Sequence, residues 1–164
     1  MKRARYRVGQ FRDYLWPRPP GPRDLAEARR ALTPALAALF ERQTPGEQAH
    51  ALRVMRRVAA SGVHTGRLEL LQAALLHDVG KTRAPLSLPE RVAVVLAGRL
   101  WPGLVRRGGW RPFVTARCHA DWGAELCAQA GAPPLTVELV RRHQTPAGRD
   151  DALLAVLQMA DDDN

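Results

Sequence analysis

The run LLHDVGK at residues 75–81 constrains this chain more than any other feature. It closes an apolar stretch, expected as a helix from Gly66 to about Val79, in which Leu68, Leu71, Leu75 and Leu76 recur at helical spacing and Gly80 supplies the stop. A polar pair is normally kept off such a face, because burying a charge or an imidazole is costly. His77 and Asp78 interrupt it all the same. Adjacent helical residues point about 100° apart, so the two side chains can reach one ion only if it lies near the helix surface between them.

The rest of the chain also reads as helices. Apolar residues follow a helical period from Leu25 through Leu32, Leu36, Leu39 and Phe40, with Asp24 as a possible cap and Pro34 dividing the stretch in two. A further helix is expected from Pro45 or Gly46 to Ser61, stopped by Gly62, and another from Leu88 to Leu100. WPGLVRRGGWRPF, residues 101–113, reads as a loop or broken helix, and the last three helices are expected near 119–130, 135–143 and 149–161. Period-two alternation is scarce and no internal repeat is visible, so the expected class is all-α, a bundle-like helical array.

With 164 residues, the chain can bury one real core. Trp16 to Pro22 holds four prolines in seven residues, so residues 1–23 are expected as a basic, proline-rich arm and residues 24–164 as the domain. The net charge of +9 comes largely from arginine, whose planar fork suits phosphate. Charge alone does not separate a phosphate-bearing substrate from a nucleic acid or an anionic membrane surface. The basic start has no apolar segment behind it, and no window resembles a transmembrane span, so a cytoplasmic protein is expected. Cys118 and Cys127, nine residues apart, read as structural thiols. Trp101, Trp110, Phe113 and Trp122 could form a base-stacking surface, but packing is the simpler reading beside prolines.

Five histidines are present: His50, His64, His77, His119 and His143. His64 reads as a surface or helix-terminal residue. AHALRV with His50, LLHDVGK with His77 and Asp78, and LLAVLQMAD with Asp161 resemble the ordered H, HD and D motifs of the HD superfamily of metal-dependent phosphohydrolases. The resemblance spans roughly residues 46–161 and extends loosely to small uncharacterised bacterial HD-domain proteins with a similar LWPRP arm. It implies that His50, His77, Asp78 and Asp161 hold a divalent metal. RCHADWGAEL with His119 and LVRRHQTP with His143 resemble the additional histidines of dinuclear members, in which Asp78 would bridge two ions.

What the resemblance implies chemically is hydrolysis of a phosphomonoester or phosphodiester, in a nucleotide-like small molecule. Imidazole and carboxylate donors favour Mn, Fe, Co, Ni or Zn over Mg. One or two such ions would lower the pKa of a water and neutralise phosphoryl charge. Asp78 and Lys81 are the expected catalytic residues, Lys81 offering a mobile charge to the substrate phosphate, with Arg53 as a second phosphate contact. The HHE and GYP signature of the cyclic-dinucleotide phosphodiesterases is replaced here by Arg142-His143-Gln144 and TPAG, which speaks against cyclic di-GMP. The alternative is a regulatory or RNA-binding HD module without turnover, for which a nucleic acid would be the partner.

Overall fold

A computed structural model of the chain describes residues 19–62 and 67–162. Most of the expected N-terminal arm, together with His64, lies outside the described residues. Within them the fold is all-α, with nine α-helices, one 3-10 turn and no strand.

Prolines start most of these helices. They stand in the first two positions of α1 (Pro22–Ala31), α2 (Pro34–Glu41), α3 (Pro45–Ala60), α5 (Leu88–Leu100), α6 (Pro102–Arg107), α7 (Arg111–Gln129) and α8 (Pro134–Arg142). A proline there gives up an N–H that the helix would not use, and its fixed φ suits the first turn. Only α4 (Leu68–Leu76) and α9 (Ala152–Asp162) begin otherwise. Of the two readings of residues 101–113, the broken helix is the one found. Pro102 starts a short helix, and Pro112 starts one that runs eight residues ahead of the expected 119. At the N-terminus, α1 begins at Pro22, so the expected boundary between residues 23 and 24 falls in its first turn. Asp24 acts from inside that turn, its Oδ2 accepting from the Gly21 N–H at 2.8 Å.

The core forms around α4. Leu70, Ala73, Ala74, Leu75 and Leu76 are all fully buried, and each buried leucine contributes about 1.5–3 kcal/mol. Helices α3 and α8 flank α4, while α1, α2 and α9 close the remaining sides. One buried polar side chain ties three of them together. Gln72 donates to the Ala31 carbonyl at 3.0 Å and accepts from the Thr136 hydroxyl at 3.1 Å, so its amide is satisfied inside the core.

Helix α4 ends at Leu76, short of the expected Val79, and the chain passes through His77 and Asp78 into the 3-10 turn Val79–Arg83. The cause is packing against α7. A Cβ on Gly80 would lie 1.9 Å from the His119 carbonyl oxygen and 2.6 Å from the Gly123 nitrogen, so only glycine lets these two backbones touch. Gly80 is thus a contact point rather than a left-handed helix cap. The positive-φ glycines among the described residues are Gly62 and Gly131.

Candidate metal centre

Six side chains singled out in the sequence converge from different elements. His50 projects from the middle of α3, His77 and Asp78 from the end of α4, His119 from α7, His143 from just past α8 and Asp161 from the last turn of α9. They fall into two groups, His50 with His77 and Asp161, and Asp78 with His119 and His143, each group's ligating atoms lying within 4.8 Å of one another.

The groups adjoin. His50 Nε2 lies 2.9 Å and His77 Nε2 3.6 Å from Asp161 Oδ1. Asp78 turns Oδ2 toward His77 Nε2 at 3.5 Å, and Oδ1 toward Nε2 of His119 at 3.2 Å and of His143 at 3.9 Å. The His77 ring centroid stands 5.2 Å from that of His50 and 5.3 Å from that of His143.

Each buried ring is oriented by its own helix. Nδ1 of His77 lies 3.0 Å from the Ala74 carbonyl, Nδ1 of His119 lies 3.0 Å from that of Thr115, and Nδ1 of His143 lies 2.7 Å from that of Val140. A carbonyl can only accept, so the proton of each neutral ring belongs on Nδ1 and the lone pair on Nε2. All three Nε2 atoms face the centre.

Burial pushes the His77 imidazole below its ordinary range and that of His143 down to about 4, which keeps both rings neutral at neutral pH. Burial works the other way on the carboxylates, yet the Lys81 ammonium holds Asp78 well below its ordinary value, and a hydrogen bond with His50 lowers Asp161. The result is two carboxylates facing the neutral rings of His77 and His143.

Such a set fits a divalent cation. His77 Nε2 is buried without a hydrogen-bond partner, and the carboxylate oxygens that stand 3.5 and 3.6 Å from it are acceptors like itself. An unsatisfied buried acceptor costs about 1–3 kcal/mol. A cation among these atoms would remove that cost, and nitrogen donors suit a first-row transition metal better than Mg.

The centre lies on the wall of a cleft of about 750 Å³ that Arg53, Lys81 and Arg91 also line. Lys81 is not simply a mobile charge here: its Nζ stands 2.5 Å from Asp78 Oδ2. Sequence reasoning missed three cleft residues. Gln144 brings its amide nitrogen 3.3 Å from His119 Nε2, and its place beside His143 was the available signal. Glu47 and Arg91 join α3 to α5 at 2.8 Å, and a pair 44 residues apart leaves no local signal.

The family model described as the HD domain matches residues 48–163, a span that includes all six converging residues. No curated protein and no solved structure matches the chain.

Proposed function

Because the chain belongs to the HD domain family, a superfamily of metal-dependent phosphohydrolases, we propose that it hydrolyses a phosphomonoester or phosphodiester, with a nucleotide-like small molecule as substrate. The observation that carries this reading is the buried, unpartnered His77 Nε2 among five further donors on the wall of a cationic cleft. His50, His77 and Asp161 would hold one divalent ion, His119 and His143 a second, and Asp78 would face both. Bound metal supplies an acidified water and neutralisation of phosphoryl charge.

The chain's own groups do the rest. Arg53 and Lys81 draw the phosphate toward the cleft wall, with Arg91 beside them. The carbonyl bonds at Nδ1 keep the three buried rings aimed, so substrate meets a prearranged set of donors. Lys81 also partners the Asp78 carboxylate, holding it anionic and in place.

Elemental analysis and a phosphoester and nucleotide panel test this together. Asp78→Ala should lose metal and nearly all turnover, whereas Lys81→Ala should keep its metal and lose only part of kcat/KM. The reading fails if Asp78→Ala, folded by circular dichroism, retains parental metal content and parental kcat/KM. Metal bound with no turnover on any substrate would favour the regulatory alternative.

A further inference from the structure

The α5–α6 hairpin carries a surface that neither the core nor the metal centre uses. Seven of the nine large hydrophobic side chains exposed among the described residues lie between Leu88 and Trp110, with Leu100 at 60% and Trp101 at 62% exposure. Such clustering marks a contact surface rather than the scattered apolar exposure of an ordinary protein face. At about 100° per residue, Leu88, Val92, Val95, Leu96 and Arg99 share one sector of α5, opposite the buried Ala97 that packs inward. Leu100, Trp101 and Leu104 carry the apolar exposure along the chain into α6.

The charge around this strip has one sign. From residue 84 to 117 the only acidic residue is Glu90, against six arginines. Glu90 is engaged by Ser87 and Arg111. Arg99, Arg106 and Arg107 are exposed and form no ion pair among the described residues. Arg117 is turned to the end of α6, donating to the Val105 and Arg106 carbonyls at 3.2 and 3.1 Å.

We propose that this hairpin docks on an anionic lipid bilayer, its leucines and Trp101 entering the headgroup boundary while Arg99, Arg106 and Arg107 meet lipid phosphates. Leucine and tryptophan flanked by arginine suit that boundary, where each apolar group leaves water and each guanidinium stays at phosphate level. A second copy of the chain would bring arginine against arginine. Nucleic acid would meet the arginines but leave the aliphatic strip wet. No helix among the described residues is long and apolar enough to cross a membrane, so the contact is interfacial. Leu88 and Val95 also line the cleft, which sets its mouth beside the bilayer.

Flotation of the full chain with vesicles tests this independently of any activity. The protein should float with phosphatidylcholine mixed with phosphatidylglycerol, less so as salt rises, and not with phosphatidylcholine alone. The triple variant Leu96→Ser, Leu100→Ser, Leu104→Ser should bind about tenfold more weakly or worse. Brominated acyl chains should quench tryptophan fluorescence in the parent and much less in Trp101→Phe. The proposal is overturned if the parent fails to float, or if the triple variant, with parental circular dichroism and Tm, floats equally well, since the basic N-terminal residues would then carry the binding. It is equally overturned if the parent is a dimer that the triple substitution splits and neither form floats, or if an RNA oligonucleotide binds parent and variant alike while vesicles bind neither.

Discussion

At Gly80 an added methyl group would collide with the backbone of α7 on three atoms, and no flexible side chain is there to yield. Gly80→Ala is therefore expected to destabilise the protein by roughly 3 kcal/mol or more, through strain rather than lost contacts. Gly98 in α5 is the control. A Cβ there meets nothing within 4 Å, so Gly98→Ala should be neutral or stabilising by up to about 1 kcal/mol through helix propensity. Urea unfolding of both variants decides the matter: equal midpoints would show that α7 can step aside. Since Asp78 and His119 sit on the two backbones that Gly80 joins, the same strain would also separate Asp78 Oδ1 from His119 Nε2, now 3.2 Å apart.

Among the elements, α3 owes its start and its link across the cleft to one carboxylate. Oε2 of Glu47 caps the Thr44 N–H at 2.9 Å, while Oε1 receives Arg91 from α5 at 2.8 Å. Glu47→Gln should cost about 1–3 kcal/mol, less than a fully buried pair because Arg91 keeps some contact with water. A lower urea midpoint with an unchanged m-value is the expected signature, and an unchanged midpoint would mean that the pair contributes nothing. At this scale the sequence is legible where periodicity and capping are local. The helices around His50, His77, His143 and Asp161 could all be read that way, and the order of the H, HD and D motifs named residues that converge in the candidate centre. What could not be read is set by contacts distant in sequence. The early end of α4 depends on Gly80 meeting α7, and the early start of α7 was hidden because Pro112 reads as a breaker when it serves as a first-turn residue.

For the whole molecule, the candidate ligands come from α3, the end of α4, α7, the end of α8 and α9, so a bound ion would link most of the array. An ion that binds the folded chain and not the unfolded one stabilises it by about 4 kcal/mol at a thousandfold excess over Kd. For a chain of this size that corresponds to a Tm rise of about 10 °C. Chelator-stripped protein reloaded with Mn or Zn should show it, Mg should give less, and an unchanged Tm with every metal would count against binding at this centre. The carbonyls that orient His77, His119 and His143 belong to Ala74, Thr115 and Val140, and they are main-chain atoms. Exchanging those side chains cannot delete them. The supporting tier of the centre is therefore written in the helical backbone rather than in the genetic code for particular residues. Mutational damage to the aim of these three rings must come through the rings themselves, or through a change such as one at Gly80 that moves a whole turn.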